Sequence, residues 1–128
     1  MKNIDFSQLI ELVRKMVADG ICPWTDHQDF DSILSHILQE CKELSEAVHE
    51  GYSIKEVTSE AGDVLTLVLL LCFKMEFLGM SSLDAIISEA LAKIRRRAPH
   101  VFDPSKRISY EEARTAWALA KLEEKSEK

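Results

Sequence analysis

Nowhere in its 128 residues does the chain sustain the apolar-polar alternation of a half-buried strand, and that absence argues against a sheet-based fold. Long apolar runs are missing as well. The strongest, Val64 to Phe73, is followed at once by Lys74 and Glu76, far short of the roughly 20 residues that span a bilayer. It reads as a buried core helix and not as a membrane anchor. The opening MKNIDFSQL lacks the apolar core of a secretion signal. Cysteine is scarce: Cys22, Cys41 and Cys72 are odd in number and widely spaced, which gives no disulfide framework. Two of them fall inside apolar helical patterns, where a thiol acts as a small hydrophobe, so they read as reduced, structural thiols of a cytoplasmic protein. Positive charge is also short, with 16 Lys and Arg against 22 Asp and Glu and a net charge of -6. That balance argues against a nucleic-acid surface, whose affinity rests on neutralising phosphates. No internal repeat and no low-complexity linker divides the chain, and its length suits one domain over residues 1–128.

What is present is helical periodicity, with apolar residues recurring at three and four along nearly the whole length. The first helix is expected from about Asp5 to Asp19, with Phe6, Leu9, Ile10, Val13 and Val17 on one face and Gly20 as its stop. ICPWTDHQDF then reads as a loop. The second helix begins near Asp31 or Ser32, turns Ile33, Leu34, Ile37, Leu38, Cys41, Leu44 and Val48 inward, and stops at Gly51. A capping-box pattern from Ser53 to Glu56 opens the third helix, which runs to Gly79. The fourth starts at Ser81 or Ser82 and continues through Arg97 until Pro99 forbids another turn. After the loop PHVFDPSKRI, a second capping box from Ser109 to Glu112 opens the fifth helix, which runs into the charged tail KLEEKSEK. Short connections make the second, third and fourth helices antiparallel neighbours. The predicted fold is an all-α antiparallel bundle of about five helices.

Four carboxylates sit at the edges of the most apolar segments, where ionised groups are expensive to bury. At about 100° per residue, Glu40 falls roughly 40° from Leu44, with Glu43 further round. The third helix is apolar on almost every side from Val64 onward, yet the same arithmetic puts Glu60 about 20° from Leu71, and Asp63 between Leu67 and Leu70. Two such pairs on neighbouring helices would repel one another unless a cation sits among them. Four carboxylates with no convergent His or Cys favour Mg²⁺, with Mn²⁺ as a substitute, over zinc. Mg²⁺ dehydrates reluctantly and is usually shared with substrate phosphates, so the metal points toward a phosphate-bearing ligand. A compact basic cluster, Lys93 with Arg95, Arg96 and Arg97, offers the matching charge. Lys93 and Arg97 lie at i and i+4 on one helix face, and both can point at one polyphosphate.

Glu40-Cys-Lys-Glu43 followed by Glu60-Ala-Gly-Asp63 resembles the MazG family of all-α nucleoside triphosphate pyrophosphohydrolases. The likeness extends to CPW at Cys22 to Trp24, to Gln28, to RRRAPHVF at Arg95 to Phe102, and to Trp117 with Lys121, so it covers nearly the whole chain. It is most similar to the first MazG module of longer members. The resemblance implies hydrolysis of a nucleoside triphosphate between its α and β phosphates, giving a monophosphate and pyrophosphate and clearing surplus or non-standard nucleotides. It further implies that Glu40, Glu43, Glu60 and Asp63 hold the metal, that Lys93 and Arg97 meet the phosphates, and that Trp117 and Lys121 contact the base. Trp24 and Gln28 either shape a substrate loop or pin it to the bundle. Trp117 reads equally as a packed anchor, and His100 as a ligand or a structural residue. Gln39 and Ser59 stand where this family often has a further Glu, which opens a second reading: a nucleotide-binding regulatory module with weak or no turnover. Thr25 and Ala98 also depart from the family's CPWD and RRHPHVF. A homodimer or higher homo-oligomer is expected, because one almost wholly apolar helix is covered better against a partner and because the family is oligomeric.

Overall fold

Two glycines set the turns around the acidic helices. The computed structural model describes residues 5–18 and 20–127. Asp19, the expected end of the first helix, lies outside the described residues. The elements are α1 (Phe6–Ala18), α2 (Pro23–His27), α3 (Phe30–His49), α4 (Ile54–Phe77), α5 (Leu83–Arg97), a single 3₁₀ turn (Pro99–Phe102) and α6 (Tyr110–Ser126). No strand occurs among the described residues. At Gly51 (φ +71°) and Gly79 (φ +73°) the backbone enters the left-handed region that favours glycine. The next amides then reach back, Tyr52 N–H donating to the Ala47 carbonyl and Met80 N–H to that of Met75, which satisfies the last carbonyls of α3 and α4.

The chain divides into two compact units, Met1–Leu83 and Asp84–Lys128. In the first, α3 packs along α4, α1 lies against α4, and α2 touches α1. The four-residue connection between α3 and α4 makes them antiparallel. Val13 and Val17 of α1, Ile33 and Ala47 of α3, and Leu69, Leu70, Cys72 and Phe73 of α4 form the core. Burying a side chain such as Phe73 stabilises by about 1.5–3 kcal/mol. The Arg14 guanidinium also lies over its ring, 4.9 Å from the centroid. In the second unit, Ser109 caps α6 through a reciprocal pair: Glu112 N–H donates to Ser109 Oγ, and Ser109 N–H to Glu112 Oε1.

The elements differ from the sequence expectation in three ways. The segment expected as a loop after Gly20 contains α2, started by Pro23, whose fixed φ suits the first helical position. A 3₁₀ turn likewise occupies part of the expected loop after Pro99. Finally, Leu34, Leu38, Cys41 and Val48, expected to face inward, are exposed, Leu38 at 72%. Apolar positions on α3 span a wider arc than α4 covers. No helix among the described residues is long and apolar enough to cross a membrane.

Candidate metal centre

The hairpin of α3 and α4 delivers the acidic residues, and its register is set locally. Asp29 Oδ1 accepts from Ser32 N–H at 2.8 Å, while Ser32 Oγ accepts from Asp29 N–H at 3.0 Å, which fixes where α3 begins. At the start of α4, Ser53 Oγ accepts from Glu56 N–H at 3.2 Å. With both helices so anchored, one carboxylate oxygen each from Glu40, Glu60 and Asp63 come within 4.8 Å of one another. Glu40 and Glu60 are half-buried and Asp63 is exposed.

Two features of this trio are costly in its metal-free form. Glu40 Oε2 and Glu60 Oε2 are buried without a hydrogen-bond partner, a condition that normally demands an explanation such as an ion. The Glu40 carboxyl is pushed up to about 7, first by desolvation, then by Glu43, and also by Glu60 and Asp63. A divalent cation removes both costs. It gives the orphaned oxygens a partner and cancels the mutual repulsion. The group contains oxygen donors alone, with no His or Cys, which fits Mg²⁺ or Mn²⁺.

Glu43, the fourth expected ligand, is not a member of this group of three. Its Oε1 accepts from Gln39 Nε2 at 3.3 Å, while its charge still acts on Glu40. Gln39, where the family resemblance leads one to expect a further carboxylate, thus serves as a donor to Glu43.

Beside the trio is a cavity of about 220 Å³ lined by Trp24, His36, Glu40, Asp63, Thr66 and Leu67. The expected substrate residue Trp24 therefore lines the same cavity as two of the candidate metal ligands. Gln28 Nε2 donates to the Trp24 carbonyl at 3.2 Å, so Gln28 pins the end of α2. His36 escaped the sequence reading, although the signal existed: it lies one turn before Glu40 on the same face of α3.

The second unit gathers the basic residues. Lys93, Arg97 and Lys121 line one cavity of about 530 Å³, together with Arg96 and Glu124. Arg97 is already engaged there, with Nη2 donating to Glu124 Oε1 at 2.7 Å and Nε to Glu124 Oε2 at 3.2 Å. Arg96 Nε approaches the same carboxylate at 3.5 Å. The hydrogen bonds from Arg97 hold the Glu124 carboxyl below its ordinary value, helped by the charges of Arg97 and Arg96. Trp117 is not among the lining residues. The Arg97 guanidinium sits over its ring at 5.4 Å, the arrangement of a packed platform. His100 lies in the 3₁₀ turn, its Nδ1 buried without a hydrogen-bond partner.

Residues 28–102 match the model of the MazG nucleotide pyrophosphohydrolase domain. The chain belongs to the MazG family. This MazG chain is 32% identical over 122 residues to the uncharacterised protein YabN of Bacillus subtilis, covering 95% of the chain and 25% of that protein. It is 30% identical over 126 residues to the nucleoside triphosphate pyrophosphohydrolase/pyrophosphatase MazG of Thermotoga maritima, covering 98% of the chain and 48% of the relative. It thus spans a quarter to about half the length of these relatives. A crystal structure of a mazG-related protein from Thermotoga maritima superposes with a TM-score of 0.79 at 27% identity, covering 91% of this chain and 98% of the other. The all-α MazG fold is therefore common to both.

Proposed function

We propose that the protein is a Mg²⁺-dependent nucleoside triphosphate pyrophosphohydrolase that cleaves the α-β phosphoanhydride, with nucleotide-pool house-cleaning as its role. The observation that carries this reading is the trio Glu40, Glu60 and Asp63, with two buried carboxylate oxygens lacking partners, in a chain of the MazG family. Those three residues would hold the ion, with Glu43 beside them. A divalent metal there supplies charge neutralisation for a polyphosphate and acidification of a water. In the overall reaction water adds to a phosphorus, the bridging P–O bond breaks, and nucleoside monophosphate and pyrophosphate leave. Glu43, whose charge acts on Glu40, is assigned to the same ion as a fourth carboxylate. Lys93 and Arg97 are assigned to the phosphates, and Lys121 with Trp117 to the base; Lys93, Arg97 and Lys121 line one cavity, which supports the grouping. A homodimer or higher homo-oligomer belongs to this proposal, supported by the exposed apolar residues of α3 and α4.

The test is pyrophosphate release from a panel of canonical and damaged ribo- and deoxyribonucleoside triphosphates with Mg²⁺, Mn²⁺ or EDTA. Release should require metal and should fall at least ~100-fold in Asp63→Ala, the scale on which loss of electrostatic stabilisation is felt. One observation favours the regulatory alternative: Arg97 is already neutralised by Glu124. Metal-dependent nucleotide binding without product from any substrate would decide for that alternative.

A further inference from the structure

The basic cavity of the second unit holds an anion of its own. Glu124 extends from α6 into a space of about 530 Å³ whose cations include Lys93, Arg96 and Arg97 of α5. Its carboxylate meets the Arg97 guanidinium edge to edge, Oε1 accepting from Nη2 at 2.7 Å and Oε2 from Nε at 3.2 Å. Arg96 Nε stands 3.5 Å from the same Oε2. The side chains of Arg97 and Glu124 are only 17% and 14% exposed, so water screens this pair less than it screens a pair on open surface.

A carboxylate in that position does what a phosphate would do. Both present two oxygens to the planar fork of a guanidinium, and bidentate pairing is the geometry in which arginine recognises either. That edge of Arg97 cannot serve two such partners at once. The charges around it are not neutralised in the same way. Lys93 and Lys125 line the cavity with no ion-pair partner among the described residues, so the internal anion sits on the cation best shaped to grip a phosphate and leaves the others free. Glu127 also lines the cavity, but it is exposed and pairs with no cation among the described residues.

We propose that Glu124 is a built-in competitor for phosphate: it occupies Arg97 until a polyphosphate displaces it, and thereby sets how tightly the cavity holds its ligand. The inference rests on the reading above that Lys93 and Arg97 meet the phosphates, and it adds a means of regulating that site. A site open only part of the time binds with its intrinsic affinity reduced by the open fraction. Neutralisation of Arg97 is then a resting state that the ligand ends.

The probe is inorganic tripolyphosphate, titrated calorimetrically in EDTA so that neither metal nor turnover enters. Glu124→Gln keeps the size of the side chain and removes its charge, and should tighten binding about tenfold or more, the scale of a charge-assisted hydrogen bond. Loss of a negative charge anywhere in the cavity attracts anions, so Glu127→Gln is the control, and its gain should stay well below that of E124Q. In an Arg97→Ala background the E124Q gain should vanish, because no guanidinium is left to release. A pair that only ties α5 to α6 predicts otherwise, with affinity unchanged or weakened in E124Q, and that result would overturn the proposal. Equal gains in E124Q and E127Q, a gain that survives Arg97→Ala, or no tripolyphosphate binding by any of these proteins would overturn it as well. If E124Q does not fold, Glu124→Asp takes its place: it keeps the charge but is too short to hold the fork, so binding should still tighten. A wild-type protein that releases no pyrophosphate from any triphosphate ends the hydrolase reading, and the calorimetric cycle still decides the role of Glu124.

Discussion

Glu40 has a half-buried carboxyl with three acidic neighbours, and its protonation records the cost. In the metal-free protein its pKa of about 7 lies above the ordinary glutamate value near 4.3, so the folded state binds the proton more tightly than the unfolded chain. Its contribution to stability is therefore fully present below the ordinary value and is lost as pH rises through about 7. In EDTA, Tm should fall between about pH 5 and pH 8, and Glu40→Gln should remove most of that fall. Added Mn²⁺ at pH 8 should restore the wild-type Tm and leave the variant unmoved. A flat wild-type profile would show that the carboxylates do not share a field. At this scale the trio was legible in the sequence, because spacing on an apolar helix places a carboxylate whatever else the fold does. The bond that Gln39 gives to Glu43 was not, since it depends on side-chain rotamers that spacing leaves open.

Among the elements, α5 and α6 are tied by the forked pair of Arg97 and Glu124, with Trp117 beneath the guanidinium. Because the folded pKa of Glu124 is depressed, its contribution is present above the ordinary carboxylate value and is lost as pH falls through the folded one. Trp117 emission, taken as the difference from Trp117→Phe, should hence shift only in acid, below about pH 4.3. In Glu124→Gln it should be shifted already at pH 7. An acid shift that persists in Glu124→Gln would assign the titration to another group. The five long helices could be read from apolar period, from the caps at Ser53 and Ser109, and from the glycine stops. The five-residue α2 could not, being too short for a period to emerge. The Arg97 to Glu124 tie spans 27 residues and leaves no local pattern. Exposure of Leu34 and Leu38 was equally hidden, because the side of an apolar helix that gets covered is decided by its neighbours.

For the molecule as a whole, Leu34, Leu38, Leu65 and Val68 leave apolar surface on α3 and α4 in contact with solvent. Self-association would bury it. Sedimentation should give a mass at least twice the 14.6 kDa of the chain, and Leu38→Glu should shift the population toward monomer. A monomer at all concentrations would sink that part of the proposal. The three cysteines, meanwhile, are graded in access: Cys41 is exposed, Cys22 half-covered, and Cys72 buried, its thiol pushed up by burial. A thiol reagent should modify Cys41 and Cys22 early, the latter helped by hydrogen bonding with Thr25 that lowers its thiol pKa, and Cys72 only when α4 parts from its packing, since opening must precede reaction. The chain thus carries its own clock, and the lag between the first and last label would time how often its centre opens.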